Sequence, residues 1–491
     1  MREKILIVIT AIMLFVGFNM PCYAIFAEQS EVIQAFLDET CRISGVPGIT
    51  VSVRVGEDIR FFSSGYADRE KSLSANEDTL FELASVSKAF TAFGILLLEE
   101  QGLLSMDDPV QKYLPWFTLQ YKGKPVDMDG VTLNNFLYHT SGLVNYKHYS
   151  MLPKGSGPDM LQQTVEAFID AELEFMPGER FEYCDVNYDV LGQIVAVVSG
   201  QQWEDFMRTK VLDPLGLHET YMYEHEAYAT GRLAKGYVGV YGRAVRLKSP
   251  PYEGNKPAGY IISCAKDMQR WTDIQIGLVE DIPEIYKAVV KKSHRADMSV
   301  PISSITTSLS GYYAGGWAVT ADGTYIGHGG NNPNFTTDVI IYPKENIVIT
   351  MLSNSDQTNN AIAPTLVNNI KGILDGELNQ KYTFGIRQIL DLIGTWMTII
   401  GLLLFVLFLL LGLRRWKNRG QNPISKKRIV LTAVWSALTV VITLSAILYP
   451  SIMGVNWPIV FEEKFYSHIT GLIALVLTCG SFTWFVFARR K

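Results

Sequence analysis

Three apolar runs near the C-terminus, roughly Ile393 to Leu413, Ile429 to Tyr449 and Ile469 to Phe487, constrain this chain more than any other feature. Each is about 20 residues long and nearly free of charge, the length a helix needs to cross a hydrocarbon core of ~30 Å. Buried core helices rarely run so far without a polar face, so the sequence predicts three transmembrane helices. The 48% of hydrophobic residues and the positive mean hydropathy agree with that reading.

The flanking charges set an orientation. Arg414, Arg415, Lys417, Arg419, Lys426, Lys427 and Arg428 separate the first two runs, and the chain ends in Arg489-Arg490-Lys491. Glu462 and Glu463, with one Lys464, precede the third run. Basic loops stay in the cytoplasm, so residues before the first run are expected outside. The N-terminus predicts the same topology. Arg2 and Lys4 lead an apolar stretch from Ile5 to Phe18 and then Pro21-Cys22-Tyr23-Ala24. That is the order of a signal peptide over 1–24, or of an uncleaved anchor helix. Expected segments are therefore an extracytoplasmic domain over 25–378, a linker over 379–392, spans over 393–413, 429–449 and 469–487, and a basic loop over 414–428.

A net charge of −6 with no basic stripe outside the membrane flanks argues against nucleic acid as a partner. Of five cysteines, Cys41, Cys184 and Cys264 fall in the exported part, which is no disulfide framework and no metal knuckle. His218-Glu219 and His225-Glu226 lack a second histidine at zinc-peptidase spacing, and no phosphate loop or dinucleotide fingerprint is present. The expectation is no metal and no cofactor.

Within 25–378, alternation from Ile49 to Phe62 predicts two strands turning near Gly56-Glu57-Asp58. Phe90 to Gln101 reads as a helix. Trp317–Thr320, Tyr325–Gly327, Asp338–Tyr342 and Ile347–Leu352 read as antiparallel strands, and Ala361 to Leu374 as a closing helix. Strands from both ends flank a helical middle, which predicts an α+β fold: one antiparallel sheet flanked by helices, with a helical insertion.

Three segments carry chemistry. In Phe81-Glu82-Leu83-Ala84-Ser85-Val86-Ser87-Lys88, Ser85 and Lys88 share a helical face, which lets an amine take the hydroxyl proton of a nucleophile. In Tyr183-Cys184-Asp185, a tyrosine before a turn can act as second base or relay a proton to the leaving group. In His328-Gly329-Gly330-Asn331-Asn332-Pro333-Asn334, glycines after a strand let a substrate backbone approach, and His328 can hydrogen-bond or steer it.

In this order and at these separations the three segments resemble the serine β-lactamase and penicillin-binding-protein superfamily of the class C type, whose motifs are Ser-x-x-Lys, Tyr-x-Asn and Lys/His-x-Gly. His139-Thr140-Ser141-Gly142-Leu143, Met176-Pro177-Gly178 and Pro214-Leu215-Gly216-Leu217 support it, and the resemblance covers about 30–375. It implies a β-lactamase/transpeptidase-like fold, an acyl-enzyme on Ser85, Lys88 and Tyr183 as acid–base groups, and an oxyanion hole from the N–H groups of Ser85 and Asn331, with Gly330 beside them.

An exported domain followed by three spans further resembles the membrane-anchored peptidases that activate nonribosomal-peptide prodrugs, such as the colibactin-maturation peptidase. Tyr121-Lys122-Gly123-Lys124-Pro125 and Phe136-Leu137-Tyr138 add to that likeness. It implies cleavage after an N-acyl-D-amino acid, typically D-asparagine, with Glu82, Asn332 and Asn334 near the D-residue. Asp185 departs from the polar Asn or Ser of the family pattern; a carboxylate there would hold Lys88 as ammonium and favour Tyr183 as base, or alter the side chain accepted. The expected partners are a small peptide or acyl-peptide substrate and the lipid bilayer, while the oligomeric state stays open. The alternatives are a D,D-carboxypeptidase or β-lactamase and, from another class, a non-catalytic penicillin-binding sensor.

Overall fold

The computed structural model describes residues 28–145, 151–249, 252–302, 311–356, 363–381, 386–417, 466–487 and six isolated positions between 430 and 441. The signal segment 1–24, most of the basic loop 414–428 and the C-terminal basic tail lie outside these residues. The chain forms two compact units: one over 1–143, 153–236 and 248–383, the other over 144–152, 237–247 and 384–491.

The larger unit is built on one antiparallel sheet. A helix over 28–44 (α1) leads into β1 (Gly48–Val55), β2 (Asp58–Asp68) and β3 (Leu73–Ser74). The rest of the sheet comes from the end of the unit: β8 (Tyr312–Tyr313), β9 (Ala318–Val319), β10 (Ile326–Asn332), β11 (Phe335–Tyr342) and β12 (Ile347–Ser353). The eight strands run β8-β9-β10-β11-β12-β1-β2-β3, with β12 against β1 joining the two ends of the domain. The predicted α+β architecture is therefore present.

Alternation on β1 shows how the sheet is buried on both faces. Ile49, Val51 and Val53 enter a core with Phe36 and Leu37 of α1 and Leu366, Val367 and Ile370 of α6 (Ala363–Leu374). Thr50, Ser52 and Arg54 face the other way and are also buried. The Arg54 guanidinium forms two 2.6 Å hydrogen bonds to the carboxylate of Asp273 on α5 (Ala265–Gln275), a paired charge under the helical layer.

That layer carries the site. β4 (Phe81–Glu82) pairs with β7 (Ile262–Ser263); a 3-10 turn, Ala84–Val86, leads into α2 (Ser87–Glu100). Beside α2 lie α3 (Val186–Ser199) and the short α4 (Lys256–Gly259). Two elements extend the sequence reading. The third motif lies inside β10, which runs on to Asn332 because Gly327 to Asn332 stays paired with Phe335 to Ile340. The stretch 237–247 forms a hairpin, β5 (Tyr237–Val240) with β6 (Arg243–Arg246), and belongs to the second unit.

In the second unit, α7 (Ile386–Lys417) starts earlier than the expected span and takes in part of the expected linker; α8 (Tyr466–Phe487) covers the third run. Among the described residues one segment, Asp391–Arg414, is long and apolar enough to cross a bilayer, and it is mostly exposed. α7 and α8 run parallel: Thr398 meets Thr470 at 3.1 Å, Thr478 donates to the Gly401 carbonyl at 2.6 Å, and Phe408 stacks edge-on with Phe482 at 4.9 Å. The seam is made of small residues, with Gly394 against Gly471 and Gly401 against Ala474, the packing helices use where no hydrophobic gain separates protein from lipid.

Candidate active site

Ser85 sits in the 3-10 turn at the mouth of α2, partly exposed, one residue after Ala84, which holds φ +47. That strained backbone turns the hydroxyl towards the following helical turn. Lys88, on the first turn of α2, is fully buried. Its Nζ donates to Ser85 Oγ at 3.2 Å, to Asp185 Oδ1 at 2.6 Å and to the carbonyl of Ala258 at 2.7 Å, which uses all three of its protons. Burial pulls the ammonium pKa down, but the Asp185 carboxylate more than offsets it, so the net direction is upward. Lys88 is an ammonium in the resting site.

Tyr183 places its ring 4.9 Å from Lys88 Nζ. Its hydroxyl is shut off from solvent and close enough to Lys88 and Ser85 to feel both, with neither in good hydrogen-bond geometry. Burial pushes the phenol up to about 12 against the opposing pull of Lys88. Asp185 thus favours a charged Lys88, while burial favours a protonated Tyr183. Asp185 stands at the N-cap position of α3 without a side-chain cap bond, its carboxylate turned to Lys88 and 18% exposed.

Strand β10 closes the other side. A Cβ on Gly330 would lie 2.8 Å from Ser85 N and 2.7 Å from the Leu83 carbonyl, so only glycine lets the strand come this close. The approach brings the Ser85 amide and the β10 backbone around Asn331 to one place. The Asn331 side chain is exposed, and its Oδ1 lies 3.4 Å from Thr336 Oγ1.

His328 is placed differently from the expectation that it would bind substrate. Its Nδ1 donates to the Gly329 carbonyl at 2.6 Å and its Nε2 accepts from Tyr313 at 3.0 Å, so both ring nitrogens are engaged within the protein. Burial, reinforced by Lys88, lowers it to about 3, so it carries no charge at neutral pH. Asn332 is likewise committed: its amide donates to Glu82 Oε2 at 2.6 Å and to the Gly259 carbonyl at 2.9 Å. Glu82 is raised to about 7, by burial first and against the Asn332 bond. Asn334 is buried against Gly236, where an added Cβ would meet its Nδ2 at 2.0 Å.

Other residues complete the site without having stood out in the sequence. α4 supplies the Ala258 and Gly259 carbonyls, and is held by Thr91 Oγ1 on the Pro257 carbonyl at 2.8 Å and by Ser87 Oγ on the Ile261 amide at 3.1 Å; no motif signal marked it. His139, seen only as part of a supporting phrase, takes φ +56 and stacks 4.4 Å from the Tyr183 ring. Its Nδ1 accepts from the Cys184 amide at 3.2 Å and lies 2.9 Å from Asn187 Nδ2, which leaves the proton on Nε2. Burial and Lys88 keep it neutral. Asp189 accepts from Asn255 at 2.6 Å, and burial raises its pKa well above the carboxylate range. Among the described residues no cluster of metal-ligating side chains occurs.

Comparison with known proteins places this geometry. The family model described as Beta-lactamase matches residues 31–369. Protein flp of Staphylococcus aureus is 28% identical over 465 residues, covering 92% of this chain and 90% of its own length. Penicillin-binding protein 4* of Bacillus subtilis is 28% identical over 326 residues, 63% of this chain and 68% of its own. The octameric penicillin-binding protein homologue from Pyrococcus abyssi superposes with a TM-score of 0.59 at 26% identity, over 70% of this chain and 77% of that one.

Proposed function

This chain belongs to the β-lactamase family of serine hydrolases, and from that premise we propose that it is a membrane-anchored peptidase or amidohydrolase that works through an acyl-enzyme on Ser85. The observation that carries the reading is Lys88, fully buried and bonded at once to Ser85 Oγ and to Asp185 Oδ1, with β10 pressed against the Ser85 amide.

The arrangement supports one route for the protons. As Ser85 Oγ attacks the substrate carbonyl, its proton passes to Lys88 Nζ while Lys88 releases another to Asp185; the carbonyl oxygen takes its charge between the Ser85 and Asn331 amides. On collapse the C–N bond breaks, Tyr183 gives its proton to the leaving nitrogen, and Lys88 and Asp185 return theirs to Tyr183 and Lys88. Water then repeats the sequence on the ester and restores Ser85.

For the substrate, the reading is the amide after an N-acyl-D-amino acid, as in a nonribosomal-peptide prodrug. Glu82, three residues before Ser85 and held by Asn332, offers a carboxyl group to a polar side chain such as D-asparagine. A D,D-carboxypeptidase is the second reading, favoured by the likeness to penicillin-binding protein 4*.

The membrane reading gains support from the second unit. Helix α7 holds one span long and apolar enough to cross a bilayer, and the apolar run 429–449 has the length of another in the sequence. Val430, Ala433, Val434, Ala437, Leu438 and Val441, the described positions of this run, are helical and exposed. The similarity to protein flp covers more of the chain than the 31–369 domain and so extends beyond it. With the basic loop inside, the Ser85 domain stands outside the cell.

The test is a fluorophosphonate or penicillin probe on the full-length protein, followed by turnover assays. Wild type should be labelled and Ser85→Ala should not; labelling of the alanine variant would remove Ser85 from the mechanism. An N-acyl-D-asparaginyl amide should be cleaved in preference to its L-epimer, to D-Ala-D-Ala peptides and to nitrocefin. Preference for D-Ala-D-Ala or for the lactam would leave the alternative standing.

A further inference from the structure

The hairpin of β5 and β6 is closed by Tyr241-Gly242, with φ values of +54 and +70. Two successive left-handed residues make the tight turn that matches strand twist, and its first position is ordinarily Asn, Asp or Gly. A tyrosine there adopts a backbone that its Cβ disfavours. Side-chain and backbone bonds from this turn show what holds it. Tyr241 Oη lies 2.8 Å from Thr470 Oγ1 on the first turns of α8, and the Gly242 amide donates to Asp391 Oδ2 at 2.6 Å. Asp391 is the residue at which the apolar span of α7 begins. Because α7 and α8 run parallel, both bonds sit at the same end of the pair, at the level where apolar helix gives way to polar chain.

The exposed side chains of the hairpin are Tyr241, Arg243, Val245 and Arg246. Arg243 and Val245 alternate onto one face of β6. An aromatic ring with a polar tip, an aliphatic side chain and cations on long stems are the composition that suits the headgroup layer of a bilayer. Arginine adds a planar fork that pairs with phosphate oxygens.

We propose that the Tyr237–Arg246 hairpin is a lipid-binding anchor at the outer membrane surface, pinned to the helix pair by Tyr241 and Gly242, with Arg243 and Arg246 taking the phosphates of anionic phospholipid headgroups. This rests on the membrane reading above. It adds a second attachment to the covalent linker, made by a segment far from the helices in sequence.

The experiment uses the full-length protein in phosphatidylcholine vesicles, with and without phosphatidylglycerol, carrying an environment-sensitive fluorophore on Val245→Cys. Alkaline carbonate extraction first separates the two claims: release of the protein would refute the membrane reading and the anchor together. With the protein retained, the label should shift to shorter wavelength when phosphatidylglycerol is added, and Arg243→Gln with Arg246→Gln should remove most of that shift. Probe labelling of Ser85 should stay unchanged in the double variant, showing that it folds. A label that stays water-exposed, or that responds equally with both arginines replaced, overturns the anchor. Reversal of the shift by inorganic phosphate would assign the arginines to free phosphate rather than to headgroups, and overturns it too.

Discussion

Replacing Asp185 by Asn separates a proton acceptor from a shape-giving residue, because the amide keeps the size and one hydrogen bond to Lys88 and loses only the charge. At 2.6 Å the Lys88–Asp185 pair is worth about 6 kcal/mol at an effective dielectric of ~20. The ammonium gives up several kcal/mol of hydration by being fully buried. In the wild type the two nearly cancel, with the attraction ahead, which keeps Lys88 charged and Asp185 ready to receive its proton. Without the carboxylate the desolvation cost stays and the attraction goes, so Lys88 loses its proton far more readily. Ser85 must then be deprotonated by free amine, and only the fraction of molecules with neutral Lys88 can react. The acidic limb of kcat/KM should lie at higher pH in Asp185→Asn than in the wild type. Below that limb the variant should lose on the order of 10²–10⁴ in rate, recovering as pH rises. The assay is acylation of Ser85 by an activated ester, followed as a burst from acid to alkaline pH, so that side-chain selection plays little part. Superimposable pH profiles, with only the preferred D-residue altered, would refute the relay and leave Asp185 as a wall of the substrate pocket.

Gly330→Ala should cost roughly 10²–10³ in kcat and about 1–3 kcal/mol of stability, because its Cβ meets backbone and forces β10 away from the Ser85 amide; wild-type kcat would show that the strand is not part of the oxyanion site. Glu82 sits near 7 in the fold against 4.5 for the free group, so the folded state holds its proton longer than the unfolded one. Stability should be greatest below about 4.5 and fall by at most about 3 kcal/mol as pH rises to about 7, and Glu82→Gln should flatten that slope in thermal melts. Asp273→Asn leaves Arg54 buried without its counter-ion and should lower stability by about 3–5 kcal/mol in denaturant unfolding, whereas replacing both by apolar residues should recover most of it.

Much of the architecture was legible because period and length suffice for it. The alternation of Ile49 to Phe62 specified a two-strand hairpin, and the Ile347–Leu352 run a strand, which pairs with β1. The i, i+3 spacing of Ser85 and Lys88 puts both groups on one face, and the two meet at 3.2 Å. What the sequence could not show was made by contacts remote in the chain. The third acceptor on Lys88 is the Ala258 carbonyl, a backbone atom that any residue would supply. His328 stood in a motif that marks substrate contact, yet Tyr313 and the Gly329 carbonyl consume both its nitrogens. The 237–247 hairpin carries a Tyr-Gly turn in place of the Asn-Gly that signals such turns, so its register was hidden.

The charge states of the site bear on the kind of substrate it suits. Lys88 is positive and Asp185 negative at 2.6 Å, so beyond the first few ångströms the pair presents almost no net charge. His328 and His139 are both neutral, and Tyr183 keeps its proton. Glu82, poised near 7, adds partial negative charge on the side towards Asn332. A peptide that ends in a carboxylate immediately after the scissile bond would bring its own negative charge close to the Asp185 and Glu82 carboxyl groups, and like charges repel. A substrate that continues beyond the scissile amide as an uncharged chain brings none. Within the function proposed above, this charge balance suits amide cleavage within an extended acyl-peptide better than removal of a terminal residue. Extending a D-Ala-D-Ala substrate to its C-terminal amide should accordingly raise kcat/KM, and a fall on amidation would count against this reasoning.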